Sequence, residues 1–404
     1  MHIVSTFLLP LHPYIAKTTD IMKNRYFIFL LLLTVFSISS CIQDEALNAE
    51  CDIVSVDTTS TWFRNNRDIL TGEFKVNNSN VVFILKKEAN FNTIEISHDS
   101  IIKSFTLTQG ARIEKKNSEI NKNGIFLYFT TYSEDGMWSK DYTVKFIKMP
   151  PLKIGAAFSF ENVETDIFNS WYEINEDGIR NDIWASGNIG FKMSGEAKES
   201  SDYPTTSWED GFKDKCIKLK TCSTGDFGKK AGMPIAAGNI FIGDFNSASA
   251  MLMPLKATRF GKQILPENAK PVKLTGYYKY TPGEVFTNKK KEEIKDRRDV
   301  CDIYAVLFEV DANNFKPLDG SNIKSSDRIV LLADMQNPGE PTEWTKFEIP
   351  FEEQNDKVFD YEKLKNNEYA ITVVASSSKG GANFEGAVGS TLFIDEIKIE
   401  WEEK

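Results

Sequence analysis

Flat rings set beside amides, hydroxyls and a cation are what a protein needs to hold a pyranose. Ring faces pack on the apolar C–H side of the sugar, and planar polar groups meet its hydroxyls. Three stretches of this chain carry such groups close together. Trp184 and Asn188 lie in the glycine-containing run Trp184-Ala-Ser-Gly-Asn188. Tyr277, Tyr278, Lys279 and Tyr280 follow one another in a strand-like run. Ser377, Lys379, Asn383 and Phe384 lie in a polar Ser/Gly loop after Ala375. Loops held by a rigid sheet are where binding groups concentrate. Side chains alternate across a strand, so Tyr278 and Tyr280 share one face while Tyr277 and Lys279 share the other. One set is core and one is exposed; Tyr278 and Tyr280 are our candidates for the exposed one. Trp171 and Trp208 are further candidate platforms. For every ring, the competing reading is burial in a core.

Reaction chemistry is harder to find. The 404 residues contain 3 histidines. They contain no HExxH helix, nucleophile elbow or phosphate loop. With 58 acidic residues, carboxylate pairs abound on paper. A pair carries meaning for hydrolysis only when its members face each other across a cleft, roughly 5–9 Å apart. Cys51, Cys216, Cys222 and Cys301 lack zinc-ligand spacing. Cys216 and Cys222 fall in one strand-like run that spans about 20 Å, too far for a disulfide without a turn. Buried free thiols are the expectation for these four; the alternative is disulfide pairing in an oxidising compartment.

An apolar content of 41% and 29 phenylalanines supply sizeable cores, and the length calls for more than one domain. A net charge of −10, without a basic stripe or arginine cluster, argues against a nucleic-acid partner.

The amino terminus reads as a leader. Lys23 and Arg25 precede the apolar run Phe27 to Phe36, and small Ser39 and Ser40 lead into Cys41. The run is too short to span a bilayer of about 30 Å and reads as a secretory signal. A cysteine directly after small residues resembles a bacterial lipoprotein processing site, which makes Cys41 the expected lipid attachment point. The alternative is a plain signal with a coincidental cysteine. Met22 already begins a complete signal. Gln43, Asp44 and Glu45 then resemble the surface-export signal of Bacteroidetes lipoproteins. Residues 1–41 are thus the leader and 42–50 a tether.

The elements that must position these groups are strands. Between 51 and 149, short β-like runs alternate with turn chemistry such as Glu134-Asp-Gly136, which predicts an immunoglobulin-like β-sandwich acting as a spacer. Met149-Pro-Pro151 cannot continue a ladder and marks a boundary. Residues 152–404 carry longer strand runs, including Cys216–Cys222, Asn239–Phe245, Val272–Tyr280, Cys301–Val310, Glu368–Ser376 and Thr391–Trp401. No helical period of useful length appears. The expectation is all-β, with a C-terminal jelly-roll β-sandwich. The mixed-charge run Thr287–Asp299 reads as a solvated loop, partly helical.

Several of these stretches resemble a known family. Ala236–Phe245, Pro271–Pro282, Asp299–Phe308, the closing Ala375–Trp401 and the motif at Trp184 are similar to the putative carbohydrate metabolism domain of Bacteroidetes lipoproteins. The resemblance covers residues 155–404. It implies a galactose-binding-like jelly roll and brings no catalytic residues with it. Jelly-roll carbohydrate modules often join their first and last strands through a structural calcium ion. Glu161 and Asp395 fall at the matching places, and hard oxygen ligands suit that ion. The alternative is two surface carboxylates or a salt bridge.

The reading that follows is a cell-envelope lipoprotein, held to the outer membrane by its lipid and exposed at the cell surface, whose C-terminal domain binds a glycan or polysaccharide without reacting on it. The alternatives are a glycoside hydrolase or lyase with an unrecognised carboxylate pair, and an adhesion protein.

Overall fold

The computed structural model describes residues 48–404 apart from 77–78, 87–88, 92–93, 95, 122–123, 166–167, 175–179 and 313. Cys41, its leader and most of the tether lie outside the described residues.

Strands β1 (Ile53–Val56), β2 (Leu70–Val76), β3 (Asn80–Leu85), β4 (Phe105–Leu107), β5 (Arg112–Asn121), β6 (Gly124–Tyr132) and β7 (Ser139–Lys148) build the first unit. Its main sheet runs β2-β3-β7-β6-β5, antiparallel except for the parallel β3–β7 pair. The immunoglobulin-like expectation calls for a second full sheet. The second layer is instead a two-stranded ribbon, β1–β4, with short helical turns. Ser60 caps the helix Thr61–Asn65 and sends Trp62 and Phe63 into a core with Phe83 and Phe146. Strand β5 breaks the sequence expectation. Its run of Lys, Glu and Asn has no alternation and is exposed along most of its length. An edge strand studded with charge resists pairing with other chains, which is why it carries no apolar signal.

The second unit contains β8 (Ala157–Phe158), β9 (Trp184–Ala185), β10 (Thr205–Trp208), β11 (Cys216–Lys220), β12 (Asn239–Phe245), β13 (Thr258–Phe260), β14 (Ala269–Thr281), β15 (Asp302–Glu309), β16 (Leu318–Asp319), β17 (Ile329–Asp334), β18 (Thr345–Pro350), β19 (Glu352–Glu353), β20 (Tyr369–Ser376) and β21 (Thr391–Glu403). One sheet runs β10-β11-β21-β14-β18, with β8 beside β21. The other runs β16-β13-β12-β20-β15-β17-β19, with β9 beside β12. All of these pairings are antiparallel, and the inner faces meet in one core: Ile217, Leu274, Ile394 and Ile399 from the first sheet, Ile242, Ile303, Leu307 and Val373 from the second. The result is the two-sheet, all-β sandwich anticipated from the strand runs. A smaller cluster on the far side of the second sheet, built on Tyr304, Val306 and Phe308, is roofed by Phe315 and Ile323. Among the described residues, no comparable buried cluster covers the far side of the first sheet. The charged run Thr287–Asp299 is turn and loop, and residues 289–298 are exposed.

Candidate functional site: an aromatic and lysine face

The site follows from the register of the first sheet. Strands β14 and β21 are each 13 residues long and pair from one end to the other. Their inward positions, including Tyr278, Tyr280, Leu392 and Ile394, are core. The positions between must therefore face outward. Register places Lys218, Phe393 and Lys279 side by side on β11, β21 and β14. One step along, Trp208 pairs with Cys216, and Tyr277 pairs with both Asp395 and Lys346.

These residues make one continuous surface. Trp208 and Phe393 have ring centroids 5.6 Å apart. Phe212, from the β10–β11 loop, lies on Tyr277 and reaches the edge of Trp344 at 6.3 Å. Lysines fill the gaps. The Lys218 ammonium is 4.3 Å from the Trp208 ring centre, and that of Lys279 is 4.6 Å from Trp344 and 5.2 Å from Phe393. Trp208 and Phe212 are 40% and 45% exposed, high for such rings in a folded protein.

A bulge keeps this face in phase. The inward apolar residues of β21 step by two at Leu392 and Ile394 and then by three to Ile397. Glu396 takes a left-handed φ of 48°, and the pairing with β14 shifts between Thr275 and Tyr277. One extra residue in a strand does this. It leaves Asp395 on the outer side, under the loop 209–215, with no exposure. Its Oδ2 accepts the Lys213 amide at 3.0 Å and its Oδ1 the Glu396 amide at 2.7 Å. Burial pushes its carboxyl up to about 6, while these amide hydrogen bonds pull the other way. Glu161 accepts the Lys215 amide of the same loop at 3.1 Å and 3.3 Å.

Glu161 and Asp395 are thus brought to one loop, but not as a calcium site. Calcium needs about six to eight oxygens around it. Here the carboxylate oxygens are engaged by amide N–H groups, whose polarity is wrong for a cation. Among the described residues no three His, Cys, Asp or Glu side chains gather. As arranged, the residues do not fit the ion, and direct amide hydrogen bonds join the loop to the segment after β8 and to the last strand.

Most of the other residues expected at a site are interior. Trp184 is 3% exposed, packed edge-on against Phe158, and donates its indole N–H to Glu173 at 2.8 Å. Asn188 is fully buried; its amide donates to the carbonyls of Phe168 and Thr205, and its oxygen accepts the Thr205 amide. The Trp184–Asn188 motif is a staple between a short helix and β10. Tyr278 and Tyr280 are the inward pair, with hydroxyls on the carbonyls of Pro338 and Ser377. The alternation was sound, but the exposed members are Tyr277 and Lys279. Ser377 is buried against Thr221. Its neighbour Ser378 joins Ser390 and the Ala387 amide on the buried carboxylate of Asp299. The Ser/Gly loop is therefore held by a hydrogen-bonded hub from inside. Lys379 and Asn383 are exposed, and Phe384 is half-buried in a left-handed conformation. They lie in the β20–β21 loop and not in the sheet positions that build the outer face. Phe212, Trp344, Phe393 and Lys218 were missed. Phe393 had a signal: an aromatic in the outward slot between Leu392 and Ile394, where an exposed strand normally carries a polar residue.

Two further features bear on chemistry. A cleft of about 660 Å³ opens where β17 meets β18, lined by Leu332, Asp334, Gln336, Lys346, Glu348 and Gln354 among others. Beside it, Lys324 bridges Asp302 and Asp334 at 2.9 Å and 2.7 Å and stands 4.0 Å over the Tyr304 ring. Burial raises the Asp302 carboxyl, and Lys324 pulls it back down. Cys51, Cys216, Cys222 and Cys301 carry free thiols, and burial pushes Cys216 and Cys301 up to about 12.

The two antiparallel sheets, packed face to face, define an all-β sandwich domain. Residues 159–400 match the putative carbohydrate metabolism domain, and the chain belongs to that family. A solved structure described as a putative glycoside hydrolase from Bacteroides thetaiotaomicron is 35% identical, with a TM-score of 0.74, covering 90% of this chain and 100% of that one. A second, described as a putative glycoside hydrolase from Bacteroides vulgatus, is 37% identical, with a TM-score of 0.57, covering 62% of this chain and 99% of that one. No curated protein matches the chain.

Proposed function

We propose that the protein is a surface-exposed outer-membrane lipoprotein, attached through Cys41, whose C-terminal sandwich holds a glycan on the outer face of its first sheet without cleaving it. The first unit is the spacer. The observation that carries this reading is the row Trp208, Phe393 and Trp344 with the Phe212–Tyr277 pair, all on one sheet face. Strands fix Trp208, Phe393 and Tyr277, and the stack on Tyr277 holds Phe212 of the loop, so little side-chain entropy is lost when a sugar stacks on them. The leader and the cysteine after Ser40 support the envelope location. The test is a glycan array with the full chain and with Trp208→Ala. Binding by the parent that drops in the variant supports the reading; binding to no glycan sinks it.

Hydrolysis is the second reading. In its favour are Asp302 and Asp334, close together beside a cleft, and the similarity to two solved structures described as putative glycoside hydrolases. Against it stands Lys324. Its ammonium fills the space between the carboxylates, where a glycosidic oxygen would have to sit, and its charge works against the burial that raises the Asp302 carboxyl. Reducing-end release from a bound polysaccharide, lost in Asp334→Asn, would make the protein a hydrolase.

A further inference from the structure

Resting on the glycan reading, we propose that the ligand of this face is an acidic saccharide, one carrying carboxylate or sulfate groups, and that Lys218 and Lys279 receive those groups. A platform for neutral sugars needs rings and hydrogen-bonding amides. This one interleaves its rings with ammonium groups. Lys218 lies over Trp208, Lys279 lies over Trp344, and Phe393 separates them in register. Among the described residues neither lysine meets a carboxylate. The acids around them are already engaged: Glu348 with Lys346 and Lys273, Glu209 with Lys215, and Asp395 with backbone amides beneath the loop.

That pattern is conspicuous in a chain with a net charge of −10, where acids outnumber bases. Two cations without acidic partners, on a face that also exposes large rings, keep a local positive field that an anion can enter. Half-buried Lys218 is partly desolvated on the platform, and burial and Lys220 hold its ammonium below the usual lysine range. An incoming anion relieves that penalty. The two lysines stand two strands apart, about 10 Å by ordinary strand spacing. That separation suits acidic groups on alternate sugars of a chain. A nucleic acid also joins charge to stackable rings, but its phosphates follow one another closely and call for a continuous track of cations. Two lysines flanked by acids do not provide one.

The experiment is titration calorimetry of the full chain with four probes: polygalacturonate, chondroitin sulfate, neutral galactan and single-stranded oligothymidylate. The expected result is binding to one or both acidic polymers, weakened about tenfold or more between 50 and 500 mM salt, with galactan and oligothymidylate at least about tenfold weaker. Polygalacturonate alone identifies a carboxylate ligand and chondroitin sulfate alone a sulfated one. Lys279→Gln and Lys218→Gln each lose about tenfold in affinity for the acidic polymer, with the unfolding temperature unchanged. Salt-insensitive binding of galactan equal to that of polygalacturonate, unaffected by either substitution, overturns the acidic ligand and leaves the glycan reading intact. Binding to no polysaccharide overturns both. Tightest binding to oligothymidylate overturns the saccharide in favour of a nucleic acid.

Discussion

Phe212 lies flat on Tyr277, with ring centroids 3.6 Å apart and planes 9° from parallel. The contact is the clasp of the β10–β11 loop. Beneath that loop lie Asp395, on the Lys213 amide, and the buried thiol of Cys216. Stacked rings of this kind contribute about 0.5–1.5 kcal/mol beyond burial. We expect Phe212→Ala to loosen the loop without unfolding the sandwich. Maleimide labelling of the Cys216 peptide, followed by mass spectrometry, should be slow in the parent and several-fold faster in the variant. Equal labelling would mean that the loop closes by other contacts.

Trp184 and Trp208 should respond in opposite ways. Trp184 is enclosed by Phe158 and Phe160, and its truncation leaves a cavity and an unpaired Glu173. The expected cost of Trp184→Ala is about 3–5 kcal/mol. Trp208 is a surface ring, and Trp208→Ala should cost under about 1 kcal/mol while lowering glycan affinity. Urea denaturation of both variants checks the contrast, and a fully stable Trp184→Ala would remove the structural role assigned here.

The sequence carried much of the fold because strand periodicity survives wherever one face is buried. The run at Thr391–Trp401 falls within β21 for that reason, while Asn239–Phe245, buried on both faces, coincides with β12 as a short continuous apolar run. The charged edge strand β5 has no buried face to imprint a period and stayed illegible. The site was half legible. The alternation in Tyr277–Tyr280 gives two faces but not which is the core, since that depends on where the other sheet lies. Trp184 and Asn188 look like ligand groups because burial inside a sandwich also favours a ring and an amide with partners. The step of three from Ile394 to Ile397 was a bulge signal in plain view, and it is what keeps Ile397 and Ile399 on the core side beyond Asp395.

Asp299 organises the Ser/Gly loop. Its Oδ2 accepts Ser378 at 2.5 Å, Ser390 at 2.7 Å and the Ala387 amide at 2.8 Å, and its Oδ1 accepts the Val300 amide at 3.0 Å. Removing the carboxylate strands several buried donors at once. We expect Asp299→Ala to cost about 3 kcal/mol or more, with Asp299→Asn in between. Denaturation midpoints measure the order, and an Asp299→Ala protein as stable as the parent would contradict the hub.

Calcium should leave the unfolding temperature where it is. The oxygens of Glu161 and Asp395 already accept amide protons, so an ion would have to displace these before gaining its own ligands. A metal that binds the native state alone raises its stability with concentration. Thermal scans in millimolar calcium and in chelator should therefore superimpose. A rise in calcium that Asp395→Asn abolishes would mean that the loop rearranges to admit the ion.

Two buried carboxyls give stability a slope with pH. Burial raises Glu173 from 4.5 to about 7, although the Trp184 indole pulls it down, and burial raises Asp395 from 3.8 to about 6. For an acid whose folded value lies above its unfolded value, the native state holds the proton over the interval between them. Protons are then released on unfolding, so stability falls as pH rises through that interval. Glu173 therefore contributes most below about pH 4.5 and loses that contribution by about pH 7. The Asp395 contribution fades between 3.8 and about 6. Glu173→Gln keeps an acceptor for the Trp184 indole but cannot ionise. Unfolding temperatures measured from pH 4.5 to 7.5 should fall less steeply in Glu173→Gln than in the parent. Parallel curves would mean that Glu173 is already solvated in the native state.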